Sequence, residues 1–73
     1  MTYFLHEEII EILITAQKEM TVSEIHKNIK HYRRRDGKFP PAYQVRAHIN
    51  DYKKYFYNNK YNKPLTVGLR EWL

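Results

Sequence analysis

The sequence predicts a small α+β domain in which three helices precede a C-terminal β-hairpin. Three observations support this: apolar residues at helical spacing over 3–18, start signals for two further helices, and two final runs of β-favouring residues. A chain of 73 residues has room for one domain with one small core, so we treat 1–73 as a single domain. Hydrophobic residues make up 42% of it, which is too many for a disordered chain.

The first helix is predicted over residues 3–18. Its apolar stripe consists of Leu5, Ile9, Ile12, Leu13 and Ala16, which recur at spacings of three and four. Glu7, Glu8 and Glu11 fall outside this stripe, toward the start of the helix, where negative charge interacts favourably with the helix dipole. We therefore expect the stripe to face the core, with the glutamates elsewhere on the helix.

The second helix is predicted to begin at Thr21. Thr21 and Glu24 have the spacing of a capping box, in which each side chain accepts a backbone N–H of the other residue. The apolar stripe continues through Ile25, Ile29 and Tyr32. The short stretch around Met20, just before this helix, is a candidate for a brief strand.

The third helix is predicted to start at the proline pair Pro40 and Pro41. Asp36 and Gly37 mark a turn before it, and proline suits the first turn of a helix. Its core face is predicted to comprise Ala42, Val45, Ile49 and Tyr52. The outward positions are Tyr43, Gln44, Ala47, Asn50, Asp51 and Lys54, with Arg46 and Lys53 on the flank.

The remaining chain favours two strands. Residues 55–57 are aromatic, residues 58–63 are polar and predicted to form the turn, and Leu65, Val67 and Leu69 alternate as the second strand. The turn lacks glycine, and asparagine can supply a left-handed residue there instead. The order helix, brief strand, helix, helix, hairpin is the winged helix-turn-helix arrangement.

Trp72 is predicted to pack against the core. A hairpin alone is marginally stable in water, so it must lie on the helices. Val67 and Leu69 can point inward, but Trp72 has the opposite parity to Leu69. If both are buried, Gly68 or the end of the strand must break the alternation.

Three segments together carry a resemblance to a known family. "TVSEI" before the second helix, "PPAYQVRAHINDYKKYF" through the third and the closing "VGLREW" resemble the HARE-type helix-turn-helix domain. That winged-helix family is similar to the N-terminal domain of the bacterial RNA polymerase delta subunit. The resemblance extends from about Leu5 to Trp72. It implies DNA binding, or docking to a transcription or chromatin complex, and it does not imply catalysis.

Charge is unevenly distributed along the chain. Residues 1–25 carry one lysine and five glutamates, a net charge of −4, whereas residues 26–73 carry twelve cations and three acids, a net charge of +9. Such asymmetry suggests an anionic partner for the basic part, for which double-stranded DNA is our first hypothesis. A solvated basic surface without a specific partner is the alternative.

The predicted DNA contacts lie on the third helix, the hairpin turn and the loop between the second and third helices. On the helix, Gln44 and Asn50 have the amide groups to pair with adenine edges, and Arg46 could reach guanine or phosphate. The outward Tyr43 and Ala47 complete this face, although the acidic Asp51 on it argues against DNA. The predicted phosphate contacts are Lys53, Lys54, Lys60 and Lys63. The run Arg33, Arg34, Arg35 and Lys38 is either a flexible phosphate-binding arm or a solvated loop.

Tyrosines interleaved with lysines raise a second possibility, binding of single-stranded nucleic acid. Tyr55, Tyr57 and Tyr61 alternate with cations, and strand alternation would place Tyr55 and Tyr57 on one face where bases could stack. Packing of half-buried tyrosines on the strand is the alternative explanation.

The residues argue against an enzyme and against a bound metal. Ser23 belongs to the start of the second helix, the chain has no cysteine, and two glycines cannot make a glycine-rich phosphate loop. His26 and His31 are five positions apart, about 140° around a helix, which does not suit one shared ion. No acidic cluster accompanies them, His6 or His48. We predict a non-enzymatic protein with no metal, cofactor or small-molecule substrate.

A second apolar ridge on the first helix raises the possibility of a protein partner. Tyr3, Ile10 and Ile14 lie beside the core stripe and either pack under the strand and hairpin or join a second subunit or partner protein. Protein docking of the delta-subunit kind is therefore the alternative function. The beginning "MTYFLHEEII" lacks a basic leader and no stretch is long enough to span a membrane, so we expect a cytoplasmic protein.

Overall fold

The computed structural model describes residues 4–73 and shows a small α+β domain. In chain order the elements are α1 (Leu5–Ala16), β1 (Met20–Thr21), α2 (Val22–Lys27), α3 (Ala42–Asp51), β2 (Phe56–Asn59), β3 (Thr66–Leu69) and a final 3-10 helix (Arg70–Trp72). The three predicted helices, the brief strand near residue 20 and the C-terminal hairpin are confirmed. The described helices do not include one with the length and apolar character needed to cross a membrane.

Helix α1 is shorter than the predicted range 3–18. It ends where Gln17 adopts a left-handed conformation (φ 55°) and its N–H donates to the carbonyl of Leu13 at 2.8 Å. From the predicted stripe, Leu5, Ile9 and Leu13 are fully buried, and Ile12 and Ala16 pack against the core while partly exposed.

Glu8 lies off the predicted stripe but is nevertheless buried, with only 2% of its surface exposed. Its carboxylate accepts three backbone N–H groups that follow α2, from Lys30 (2.8 Å), His31 (2.9 Å) and Tyr32 (2.7 Å). Burial raises the pKa of Glu8, but these three donors outweigh it and hold the pKa below its ordinary value. Glu8 therefore ties α1 to the segment after α2.

This contact accompanies an early end to α2. The capping box of Thr21 and Glu24 is present as predicted, but the helix stops at Lys27 and does not extend to Tyr32. The Asn28 side chain donates to the carbonyl of Glu24 at 2.8 Å and closes the last turn. Beyond it, Ile29 is still buried, because the extended segment held by Glu8 keeps it on the core.

Helix α3 begins at the predicted place, with Pro41 as its N-terminal cap. Val45 and Ile49 are buried and Tyr52 is half-buried, as expected for the core face. Ala42 is exposed, so the core face begins one turn later than predicted. The turn at Asp36 and Gly37 is also confirmed, with Gly37 in the left-handed region (φ 84°) that glycine adopts without strain.

The strands form one antiparallel sheet in the order β1-β3-β2. Met20 pairs with Val67, and Phe56 pairs with Leu69. Asn58 and Asn59 belong to β2 and are not in the turn as predicted, so the connection comprises residues 60–65. Among the described residues outside glycine, a positive φ occurs at Gln17 alone, so no asparagine of the hairpin supplies a left-handed turn residue.

The end of the sheet resolves the parity of Trp72. Val67 and Leu69 are buried as predicted, and the 3-10 helix after β3 breaks the strand alternation. Trp72 consequently packs against the core, although it stays half-buried. Gly68 has a different role: a Cβ there would lie 2.5 Å from the ring of Tyr57, so only glycine leaves room for that ring.

Candidate nucleic-acid interface

A groove of about 540 Å³ lies between α3 and the hairpin. Its described lining residues are Val22, Arg46, Ile49, Asn50, Lys53, Asn58, Lys60 and Leu65. Three of these lining residues are cations and none is acidic. The groove thus brings together four of the residues that the sequence predicted as DNA contacts: Arg46, Asn50, Lys53 and Lys60.

The core positions these side chains. Because Val45 and Ile49 are buried, the positions that follow them, Arg46 and Asn50, lie to one side of the core face and are exposed to solvent. Past the helix end, the Arg70 guanidinium donates to the carbonyl of Lys53 and fixes the backbone there. Lys60 follows directly on β2, which Phe56 anchors in the core.

Asn50 is linked across the groove to the hairpin. The amide of Asn58 donates to Oδ1 of Asn50 at 3.3 Å, so that one acceptor site of Asn50 is engaged while its own NH₂ group remains available. This hydrogen bond sets the orientation of the Asn50 amide relative to β2. A ligand in the groove would therefore meet Asn50 first as a hydrogen-bond donor.

Gln44 is less exposed than the helical wheel suggested. It is half-buried, and its amide donates a long hydrogen bond (3.5 Å) to the hydroxyl of Tyr32. Tyr43 and Ala47 are exposed as predicted, and Tyr43 lines a neighbouring surface with Ser23 and Arg46. Base contact by Gln44 would require this side chain to turn away from Tyr32.

The remaining predicted cations of the hairpin region lie outside the groove lining. The Lys54 ammonium lies 5.1 Å from the centre of the Tyr55 ring, and Lys63 is exposed in the connection of the hairpin. Asp51, which argued against DNA, is exposed but does not line the groove. Its negative charge is therefore offset from the three cations.

The basic loop before α3, for which the sequence left a phosphate-binding arm and a solvated loop open, contains a closed turn. Arg34 N–H donates to the carbonyl of Lys38 at 2.8 Å, and Asp36 accepts the Lys38 N–H at 3.0 Å. Arg33 donates to two carbonyls and lies 3.7 Å above the Phe39 ring. Arg34, Arg35 and Lys38 are exposed and do not line the groove.

Glu19, just before β1, contacts both strands of the hairpin, and the sequence did not single it out. Its carboxylate accepts hydrogen bonds from the hydroxyls of Tyr57 (2.5 Å) and Thr66 (2.7 Å) and from the amides of Asn59 and Asn62 (3.1 and 3.3 Å). The bond from Tyr57, with that from Thr66, holds the pKa of Glu19 below its ordinary value. The same bond raises the pKa of Tyr57 to about 12. No local pattern reveals this, since the partners lie 38 to 47 residues away.

The packing of the tyrosines removes the premise of the single-strand hypothesis. Tyr55 lies before β2, not within it, and stacks with Tyr52 and His6, so it shares no strand face with Tyr57. Tyr57 lies over Gly68 and donates to Glu19. Tyr61 is 97% exposed in the hairpin connection, separate from both.

Aromatic rings fill the junction of α1 and α3. His6 stacks on Tyr52 (4.3 Å between ring centres) and His48 on Tyr52 (4.6 Å), and the two imidazoles lie 5.8 Å apart. His6 Nδ1 and His48 Nε2 are buried with no hydrogen-bond partner among the described residues. Burial, with the neighbouring His6, lowers the pKa of His48, although Asp51 opposes this.

The second apolar ridge of α1 is only partly packed. Tyr3 lies outside the described residues. Ile10 packs against the core while partly exposed, as the packing hypothesis expected, whereas Ile14 is largely exposed.

Comparison with protein-family models, with curated proteins and with solved structures finds no match for this chain. The resemblance to the HARE-type domain therefore stays a prediction.

Proposed function

We propose that this protein is a winged helix-turn-helix domain that binds double-stranded DNA as a non-enzymatic accessory or regulatory factor of the cytoplasm. In this proposal α3 enters the major groove, and the hairpin of β2 and β3 acts as the wing beside it. Arg46 and Asn50 would face the bases, and Lys53 and Lys60 the phosphates.

The observation that carries the proposal is the composition of the groove between α3 and the hairpin. Its described lining residues include Arg46, Lys53 and Lys60 and no carboxylate. Three cations in one groove produce a local positive potential. When they neutralise the phosphates of a DNA strand, the condensed counterions of the strand are released. The Asn50 amide adds a donor within the same groove.

Helix α1 supports a second candidate, docking to another protein. Its outer surface exposes Glu7, Glu11 and Ile14, and an apolar residue beside acidic ones suits a basic, partly apolar partner. This surface and the cationic groove involve different residues, so one set of variants can separate the two functions.

Binding of labelled duplex DNA, measured by fluorescence anisotropy at several salt concentrations, tests the proposal. We expect a steep loss of affinity with rising salt. Lys53→Gln or Lys60→Gln should each reduce the slope of log affinity against log salt by about 0.9, the value for one phosphate contact. Asn50→Ala should weaken binding at some sequences more than at others.

Lys18→Gln is the matched control, because it removes one exposed lysine at the end of α1, away from the groove. It should leave the slope unchanged. Equal effects of Lys18→Gln and Lys60→Gln would show that only net charge matters. Absence of duplex binding at low salt would refute the proposal and favour docking through α1.

A further inference from the structure

The basic loop between α2 and α3 presents an exposed aromatic ring. Phe39 is 52% exposed, and the guanidinium of Arg33 covers it at 3.7 Å from the ring centre. A phenylalanine with one cation stacked on it and half of its surface still in solvent leaves aromatic surface for a further planar group. The loop therefore combines the two chemical features of stacking platforms for nucleic acids, an aromatic ring and clustered cations.

Hydrogen bonds hold this ring and its neighbouring cations in place. The turn from Arg34 to Lys38 is closed by the N–H of Arg34 to the carbonyl of Lys38 and by the N–H of Gly37 to the carbonyl of Arg34, both at 2.8 Å. On the other side of Phe39, Pro40 is buried and its carbonyl lies 2.8 Å from Nε2 of His26 on α2. The ring is thus anchored from both directions.

A shallow cavity of about 270 Å³ lies beside the ring and is lined by His26, Lys27, Ile29, Phe39 and Pro40. Its floor is apolar and one wall is cationic. Lys27 adds to the charge of Arg34, Arg35 and Lys38 nearby in the chain. The one acid of the loop, Asp36, is exposed, and its carboxylate accepts the N–H of Lys38 at 3.0 Å.

We propose that Phe39 and the loop 33–38 form a site for an unpaired nucleotide of a DNA strand, separate from the groove of α3 and the hairpin. The base stacks on the exposed surface of Phe39, and Arg34, Arg35 and Lys38 bind the phosphates on either side of it. The groove and the cavity beside Phe39 share no described lining residue, so each site can be tested without the other.

The choice of a strand over a free nucleotide follows from the charge distribution. A single phosphate can satisfy one or two of the cations, whereas the loop presents three exposed ones within five residues. A strand delivers several phosphates at once, and each contact adds counterion release. A strand should therefore bind more tightly than the mononucleotide of the same base.

The test is titration of the full-length protein with labelled oligothymidylate, thymidine monophosphate and a blunt duplex, for the wild type, Phe39→Leu and Phe39→Trp. Phe39→Leu keeps an apolar side chain but removes the aromatic face, and it should weaken oligothymidylate binding about 5-fold or more, the loss of one stacked base. Phe39→Trp should retain the affinity. Binding of oligothymidylate should quench the fluorescence of its added indole, an effect that the wild type should lack. Neither variant should change binding of the blunt duplex.

Equal binding of oligothymidylate by wild type and Phe39→Leu would overturn the site. Equal affinity for the mononucleotide and the strand would overturn the assignment of the site to a strand. The blunt duplex tests the groove, and oligothymidylate tests this site. Binding of oligothymidylate without binding of the duplex would therefore refute the proposed function and leave this site standing.

Discussion

The hydroxyl of Tyr57 donates a 2.5 Å hydrogen bond to the carboxylate of Glu19, joining the segment before β1 to strand β2. The same carboxylate accepts from Thr66 on β3 and from Asn62 in the connection. A single side chain outside the hairpin therefore orients both strands and the segment that carries Lys60. Substitution of Tyr57 or Glu19 therefore tests how the hairpin is held.

Tyr57 should lose its proton at a higher pH than an ordinary tyrosine. Its pKa is raised to about 12, mainly by the hydrogen bond to Glu19, from an ordinary value of 10.0. The folded protein therefore holds this proton more tightly than the unfolded chain. The resulting stability is fully present below pH 10.0 and is lost as the pH rises toward about 12. Ultraviolet titration of tyrosinate should show one late step that Tyr57→Phe removes; a step unchanged in Tyr57→Phe would contradict the assignment.

Gly68→Ala should destabilise the protein more than Gly37→Ala. A methyl group at Gly68 would meet the Tyr57 ring at 2.5 Å and force it away from Glu19, whereas nothing lies within 4 Å of one at Gly37. Overpacking of this kind lowers the free energy of unfolding by about 1–3 kcal/mol. At Gly37 the cost is only that of a positive φ, about 1 kcal/mol.

Urea denaturation of the two glycine variants measures both values under one condition. The order of the two midpoints decides the matter. Equal midpoints, or a lower midpoint for Gly37→Ala, would mean that the ring of Tyr57 is free to move aside without loss.

Glu8→Ala should be among the most damaging single substitutions on α1. It removes the acceptor of three backbone N–H groups, and a buried donor left unpaired costs about 1–3 kcal/mol. Glu8→Gln keeps one acceptor oxygen, so its loss of stability should be smaller. Thermal denaturation ranks the two against Glu7→Ala, the matched exposed glutamate. A midpoint for Glu8→Ala equal to that for Glu7→Ala would exclude a structural role for this carboxylate.

Stability should also fall on acidification through the pKa of His48. Its pKa in the folded protein lies below the ordinary 6.5, chiefly because it is buried, with His6 adding to the effect. The unfolded chain therefore binds the proton more readily, and the free energy of unfolding decreases as the pH falls below about 6.5. Glu8 and Glu19 have lowered pKa values as well, so their contributions disappear only below the ordinary 4.5.

Denaturation at several pH values for wild type and His48→Gln separates these groups. The substitution should flatten the dependence just below the ordinary pKa of 6.5, since the titrating imidazole is gone. Below pH 4.5 the two proteins should still lose stability in parallel, because the carboxylates remain. A slope in the upper range that persists in His48→Gln would assign it to another group.

Much of the candidate groove could be predicted from local sequence, and some of it could not. The period of α3 predicted that Val45 and Ile49 are buried and that Tyr43, Ala47 and Asn50 are exposed, because a helix repeats every 3.6 residues whatever it packs against. The same wheel misplaced Gln44, since its bond to Tyr32 depends on where a distant segment passes. Which lysines share the groove was likewise decided by the path of the chain after α3.

The sequence by itself determined several local features: the capping box of Thr21 and Glu24, the start of α3 after Pro41, and the alternating strand that buries Val67 and Leu69. Those signals act between residues at most a few positions apart, so they can be read without the fold. The tertiary structure alone decided that Glu8 binds the N–H groups beyond the end of α2 and that Glu19 holds the hairpin. Those carboxylates act on partners more than twenty residues away, and a hydrogen bond at that separation leaves no periodicity in the chain.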